Sequence, residues 1–172
     1  MTSAPDGAAA TLFSAVVGRP ENASSVIYGI ITVGAVLAAE GNRNEPYWRS
    51  VGAAILILLL YWVVHAWSVD SGDRLEKRRA FEGPAFLAEL RAEFSIMRGA
   101  VAPIAAVILA GVAGATDQRA VFIGTIVSAM MLVLFEFSVA VLGRLGARQV
   151  VIQTAAGGAF GMALIVLRFV VV

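Results

Sequence analysis

The sequence predicts an all-α protein, a polytopic membrane bundle of five transmembrane helices with the N-terminus inside and the C-terminus outside. Hydrophobic residues make up 59% of its 172 positions and charged residues only 15%, whereas average soluble chains carry roughly 25% charged residues. The apolar residues are gathered into five long runs, and a bilayer core needs about 20 helical residues to cross. Helices are predicted because unpaired backbone polar groups are not tolerated in lipid.

Five segments have the length and composition of a membrane-spanning helix. Residues 1–23 lack such a run and are predicted to form a flexible N-terminal tail, which leaves 24–172 as the five-helix membrane domain. The predicted spans are 24–40, 50–68, 99–115, 120–142 and 149–170.

The distribution of Lys and Arg predicts the orientation, because cytoplasmic loops carry an excess of these residues. With the N-terminus inside, nine of the 13 basic residues fall on the inner side and four on the outer side. A multi-pass protein of the cell membrane is therefore expected. The inner set is Arg19, Arg74, Lys77, Arg78, Arg79, Arg91, Arg98, Arg144 and Arg148, and the outer set is Arg43, Arg49, Arg119 and Arg168.

The loop between the second and third spans contains a predicted amphipathic helix near 84–98. Pro84 stands where the first turn of a helix accepts proline. Apolar residues at helical spacing form one stripe, so the helix is expected to lie on the inner membrane surface or against the bundle. The stripe consists of Phe86, Leu90, Phe94 and Met97.

Glu89 and Glu93 share another face of this helix. Two carboxylates one turn apart could bind a cation or a metal ion. The alternative is a solvated face that pairs with Arg91 and with the basic cluster at 74–79.

Polar side chains from four spans are predicted to share the inner half of the membrane. Ionisable groups in a span usually face the bundle interior or a wet cavity. The predicted cavity residues are Tyr28, Thr32, His65, Glu136 and Gln153.

Glu136 is the deepest acidic residue in this set. It is predicted to be a proton- or cation-binding carboxylate, or else a buried acid bonded to Gln153 or Tyr28 that holds helices together. His65, the only histidine, is either a cavity residue or a member of an aromatic belt with Trp62 and Trp67.

Gly157 and Gly161 form a GxxxG pattern in the last span. Such small-residue faces allow close packing within a chain or between chains. A homodimer is expected on this basis. Arg168, near the outer end of the same span, is expected to extend to the outer surface.

Several function classes are excluded or disfavoured by composition. The chain has no cysteine, so disulfides, thiolate metal sites and cysteine nucleophiles are excluded. No HExxH, GxSxG or P-loop pattern occurs, and one histidine cannot form a multi-histidine site. We therefore predict no enzymatic activity and no cofactor. The net charge of +1 predicts no nucleic-acid partner, and the lipid bilayer is the expected surrounding.

The stretch "YGIITVGAVLAA", residues 28–39, resembles the first span of the vacuolar iron transporter family, whose pattern is approximately DGIVTTFAVVAG. The exit from the second span, "WSVDSGDRLEK", and the final "RLGARQVVIQTAAGGAFGMALIVLRFVV" are also similar to that family. The resemblance implies five spans, the same orientation, a charged helical insertion between spans 2 and 3, and metal transport.

The chain departs from that family at two acidic positions. Tyr28 stands where the family has a span-1 aspartate, and Ala66, next to His65, stands where its second span usually carries a glutamate. In the family, these acids take part in moving ferrous iron against protons. A second stretch, "YWVVH" at 61–65, is similar to the endolysosomal potassium channels, but their first-span signature is missing.

These observations together predict a secondary transporter of a small cation or metal ion, with proton coupling. The polar layer of the inner half is the expected binding region. Two alternatives stay open: a non-transporting membrane scaffold or accessory subunit, and a cation channel. The outer half of the spans carries no acidic or histidine side chain that would mark a pathway.

Overall fold

The computed structural model describes residues 23–40 and 45–170, and the predicted flexible tail lies almost wholly outside this part. Six helices and no strand occur in the described ranges. All except α3 are long and apolar enough to cross a membrane, which confirms the predicted five-span, all-helical bundle. The helices are α1 (Ala23–Glu40), α2 (Tyr47–Lys77), α3 (Gly83–Ala92), α4 (Ser95–Val112), α5 (Asp117–Leu142) and α6 (Ala147–Val170).

Helix α1 lies at the centre of the bundle and packs against α2, α4, α5 and α6. Its crossing with α4 brings the two backbones into contact. A methyl group built on Gly29 would collide with the carbonyl oxygen of Ile96, and one on Gly99 would collide with that of Val26. Small residues permit such close approach, which is the main source of helix association in lipid.

The buried side chains form two apolar clusters at different levels along α1. One fills the space between α1, α2, α4 and α5, and the other joins α1 to α5 and α6. Large apolar residues on the outer surface are exposed, as expected for a lipid-facing surface. Val33, Leu37, Leu58, Ile96 and Val107 belong to the first cluster, and Val26, Ile30, Leu132, Phe135 and Leu164 to the second.

Helix α2 is longer than the predicted span at 50–68 and extends to Lys77. Its 31 residues correspond to a rise of roughly 46 Å, which exceeds a bilayer core of about 30 Å. The polar extension is held by ion pairs one turn apart. Arg74 Nε lies 2.9 Å from Asp70 Oδ2, and Lys77 Nζ lies 2.6 Å from Asp73 Oδ1.

A charged clamp, which we define as Asp70, Asp73, Arg74 and Arg79, closes the end of α2. The chain reverses at Arg78, whose φ of 50° is left-handed. Arg79 then donates to Asp70 Oδ1 at 2.7 Å and to Asp73 Oδ2 at 3.0 Å. These hydrogen bonds raise the pKa of Arg79 above its ordinary value. Asp70 is fully buried, so the clamp satisfies a carboxylate that would otherwise be costly.

The amphipathic helix predicted near 84–98 is shorter than expected. Helix α3 ends at Ala92, and Ser95–Arg98 already form the first turn of α4. Ser95 and Ile96 are buried, so the chain turns into the bundle at Glu93 rather than continuing along the surface. The predicted third span at 99–115 accordingly begins and ends three to four residues earlier, as Ser95–Val112.

Helix α3 packs alongside α2 in the opposite direction. Near its start, Phe86 contacts Trp67, with ring centroids 5.7 Å apart. Near its end, the indole nitrogen of Trp62 donates to the carbonyl oxygen of Leu90 at 2.9 Å. Helix α3 therefore packs against the bundle, and its predicted position on the inner membrane surface stays a prediction.

Arg168 is buried rather than extended to the outer surface, contrary to the prediction. Only 8% of the residue is exposed. Its guanidinium donates to the carbonyl oxygen of Gln118 at 3.2 Å and lies 4.9 Å from the ring centroid of Phe122. The first two turns of α5 therefore supply an acceptor and a π-face that compensate for lost hydration.

The predicted orientation can be tested by thiol labelling, since the chain has no cysteine background. Thr116 lies between α4 and α5 and Gly146 between α5 and α6, and both are exposed. We expect a membrane-impermeant maleimide to label Thr116→Cys but not Gly146→Cys in intact cells. Lysed cells should give labelling of both. Labelling of Gly146→Cys alone in intact cells would reverse the assigned orientation.

Candidate functional site

His65 and Glu93 form a titratable pair between α2 and the α3–α4 junction. His65 Nε2 lies 3.5 Å from Glu93 Oε2. The same carboxylate oxygen accepts a hydrogen bond of 2.7 Å from Ser25 Oγ on α1. Both titratable side chains are largely buried, with 26% of His65 and 18% of Glu93 exposed. One carboxylate thus joins three separate parts of the chain.

Two tyrosine rings enclose the His65 imidazole. Tyr61 stacks on it with ring centroids 5.7 Å apart and an interplanar angle of 19°. Tyr28 approaches from α1, with its ring centroid 5.8 Å from that of His65 and 6.2 Å from that of Tyr61. We call Ser25, Tyr28, Tyr61, His65 and Glu93 the His–Glu cluster.

The helical spacing places these side chains on facing surfaces. Tyr61 and His65 are four residues apart on α2, and Ser25 and Tyr28 are three apart on α1, so each pair shares one helix face. Glu93 follows the last residue of α3, with φ −81° and ψ 1°. The turn there allows its carboxylate to face α1 and α2.

The His–Glu cluster has the chemistry to hold a proton or a small cation. A protonated His65 would form an ion pair with Glu93, whereas a neutral His65 would leave the carboxylate charge for another cation. The 3.5 Å separation is longer than a typical N–H···O hydrogen bond. His65 and Glu93 are therefore within ion-pair distance but do not form a direct hydrogen bond.

Glu136 and Gln153 lie in a second polar group, at the α5–α6 interface. A methyl group on Gly157 would lie 2.9 Å from Glu136 Cγ, so the stem of this acid packs against α6. One turn earlier on α6, Gln153 Oε1 and Thr154 Oγ1 are buried without a hydrogen-bond partner in the described part of the chain. Buried polar atoms of this kind usually bind water or a ligand.

The predicted cavity residues are therefore divided between two groups. Tyr28 and His65 are in contact, but Glu136 and Gln153 lie at the interface of two other helices. On α1, Tyr28 contacts Tyr61 and His65 of α2, whereas Val26 and Ile30 pack in the cluster with α5 and α6. Thr32 is partly buried on α1, and none of the described hydrogen bonds joins it to either group. None of the described contacts joins Tyr28 or His65 to Glu136 or Gln153, and a single cavity formed by all five residues stays a prediction.

Gly157 and Gly161 pack α6 against α5. Close packing within the chain was one of the two roles predicted for them, and packing between chains was the other. Methyl groups on them would lie 2.7 Å from the carbonyl oxygen of Leu132 and 3.0 Å from that of Ala129. This GxxxG surface is consequently used within the chain. The expected homodimer would need a different face.

No three His, Cys, Asp or Glu side chains are grouped as a metal site within residues 23–40 and 45–170. Glu93 faces Ser25 and His65, whereas Glu89 stays partly exposed on α3. The predicted Glu89–Glu93 site would therefore need ligands from outside this pair.

Ser25 and Tyr61 are members of the His–Glu cluster that the sequence analysis did not identify. The four-residue spacing of Tyr61 and His65 was a usable signal. Ser25 had none, because its role depends on how α1 approaches the α3–α4 junction.

Comparison of the chain with protein-family models, with curated proteins and with solved structures finds no match. The resemblance to the vacuolar iron transporter family accordingly stays a prediction.

Proposed function

We propose that this integral membrane protein is a proton-coupled secondary transporter of a small cation in the cell membrane. The observation that carries the proposal is the His–Glu cluster. There, a carboxylate within 3.5 Å of the only histidine is held by a serine of a third helix. Intramembrane ionisable groups in such contact are functional candidates by default.

The proposed coupling follows from competition at Glu93. A proton on His65 neutralises the carboxylate by ion pairing and disfavours a bound cation. Loss of that proton restores a negative site with hydroxyl oxygens of Ser25, Tyr28 and Tyr61 nearby. Binding of the cation and release of the proton are linked in this scheme.

The α5–α6 polar group is a second candidate station for the ion. Gln153 Oε1 and Thr154 Oγ1 offer oxygen atoms without described partners, and Glu136 adds a carboxylate beside Gly157. Oxygen donors suit alkali and alkaline-earth cations. Passage between the two groups and out past the buried Arg168 would require helices to rock around α1.

The test is cation uptake by proteoliposomes with an internal pH-sensitive dye. We expect wild-type vesicles to exchange a small cation for protons, and Glu93→Gln to lower the rate by roughly tenfold or more. His65→Gln should retain uptake but lose its pH dependence. Glu82→Gln is the matched control, because Glu82 is exposed at the start of α3. An unchanged rate in Glu93→Gln would remove this residue from the proposed site.

A non-transporting scaffold or accessory subunit is the second candidate. The apolar cluster between α1, α2, α4 and α5 favours it, because side chains such as Leu37 and Val107 are fully buried along the bundle centre. Correctly folded wild-type protein that moves no cation in either direction would support this role. A cation channel would instead show electrogenic flux without proton movement in planar bilayers.

A further inference from the structure

An open apolar groove lies between α2 and α3, on the outside of the bundle. It has a volume of about 370 Å³ and is lined by Trp62, Leu87, Leu90, Arg91 and Phe94. The size falls within the range of small-molecule sites. Four of the five lining side chains are apolar or aromatic, and the fifth is a cation.

The aromatic residues of α2 indicate the depth of the groove. Trp48 and Trp67 are 19 residues apart, which is a rise of roughly 28 Å, close to the thickness of a bilayer core. Tryptophans favour the two membrane boundaries. Trp62 then lies roughly 7 Å inside the boundary marked by Trp67. The groove therefore extends from headgroup level into the acyl-chain region.

Arg91 provides a cation in the lining of this groove. Because the adjacent Leu90 accepts a hydrogen bond from Trp62, Arg91 stands at the level of Trp62, and its long side chain must extend towards Trp67 to reach the headgroups. Its side chain is exposed, and it forms no ion pair within the described ranges. Its neighbours one turn away on either side are Leu87 and Ser95, which offer no carboxylate. Of the acids beside it in sequence, Glu93 faces Ser25 and His65, and Glu89 remains partly exposed.

Three of the four basic residues at the end of α2 differ from Arg91 in this respect, and the fourth, Arg78, is exposed without a described ion pair. Arg74, Lys77 and Arg79 each contact Asp70 or Asp73, so their charge is largely compensated. The exposed guanidinium of Arg91 lacks such a partner. A guanidinium that extends to headgroup level is complementary to phosphate, which it binds through two N–H groups.

We propose that the groove binds one anionic phospholipid, with its phosphate at Arg91 and an acyl chain along Trp62, Leu90 and Phe94. The predicted inner leaflet supplies such lipids, and basic pockets between transmembrane helices bind their headgroups. The apolar lining is suited to the acyl chain of the lipid, and the uncompensated cation explains the preference for a negative headgroup.

Quenching of Trp62 by brominated lipids tests this site. In the Trp48→Phe/Trp67→Phe protein, Trp62 is the sole tryptophan. Vesicles of phosphatidylcholine and phosphatidylglycerol would carry bromine on a minor fraction of one lipid or the other. We expect brominated phosphatidylglycerol to bind roughly fivefold more strongly than brominated phosphatidylcholine, from about 1 kcal/mol per basic residue at the surface.

Three variants distinguish a specific lipid-binding site at Arg91 from general electrostatic attraction between the protein and anionic lipids. Arg91→Gln should abolish the preference, and Arg91→Lys should retain part of it because the charge remains. Arg98→Gln, which removes an exposed arginine of α4 outside the groove lining, should leave the preference unchanged. Equal quenching by both lipids, an unchanged preference in Arg91→Gln, or the same loss in Arg98→Gln would each overturn the proposal. Absence of quenching by either lipid would show that another occupant, such as a second copy of the chain, covers the groove.

Discussion

Replacement of Gly99 by alanine is expected to separate α1 from α4 and to destabilise the bundle by about 3 kcal/mol. The added methyl group would meet backbone rather than a movable side chain. It would collide with the carbonyl oxygen of Val26 and lie 2.9 Å from the amide nitrogen of Ile30. Because neither atom can rotate away, the helices themselves must move apart and lose contacts along their whole crossing. Thermal unfolding of the purified protein in detergent, followed by size-exclusion chromatography, measures the effect.

Gly29→Ala should behave like Gly99→Ala, since its methyl group would collide with Ile96 from the opposite helix. Gly52→Ala and Gly158→Ala are the matched controls, because no atom lies within 4 Å of a methyl group at either position. The controls should be neutral or slightly stabilising, as alanine favours helix more than glycine does. Equal unfolding temperatures for all four variants would show that the α1–α4 crossing is looser than described.

Removal of the Asp70 carboxylate is expected to destabilise the protein by roughly 3 kcal/mol, the size found when one partner of a buried ion pair is deleted. Asp70 is fully buried and contacts Arg74 and Arg79. In Asp70→Asn, both guanidinium groups would lose their shared anion, and the turn at Arg78 would lose its attachment to α2. We expect lower thermal stability together with faster proteolysis between α2 and α3.

Glu76→Gln is the control for Asp70→Asn, because Glu76 is an exposed acid on the same stretch of α2. Glu76→Gln removes one negative charge from the end of α2 without changing a residue of the charged clamp. If the two variants unfold at the same temperature, net charge rather than the buried contact determines stability here. A stable Asp70→Asn protein with unchanged proteolysis would contradict the structural role of the clamp.

The number and order of the spans could be predicted because lipid imposes a length and an apolar composition on every crossing helix. The ends were less predictable. Helix α2 continues beyond Ser68 because Asp70 and Asp73 pair with Arg74 and Lys77 one turn later, a local effect that hydropathy does not measure. Helix α3 ends at Ala92, and the chain turns so that Ser95 and Ile96 are buried, with Ile96 against Gly29 of α1, which is a tertiary effect.

The depth of the candidate site stays a prediction, and the direction of its side chains around each helix could not be predicted from the sequence. His65 was identified because a lone histidine in an apolar run is conspicuous, and its depth followed from the rise per residue. Glu136 is predicted to lie in the same inner half of the membrane, yet it packs against Gly157 while His65 contacts Tyr28 and Tyr61. Which face of a helix meets which neighbour depends on the crossing of α1, and apolar spans carry little periodicity that would reveal it.

The charged clamp also bears on how the protein is inserted during synthesis. Arginine and lysine retain a nascent segment on the cytoplasmic side, whereas aspartate contributes little to that decision. The basic residues at 74–79 can therefore act on topology before the chain has folded, despite their later pairing with Asp70 and Asp73. An Asp70→Asn protein should still insert with the wild-type topology. Its loss of stability would therefore arise after translocation, when the helices assemble.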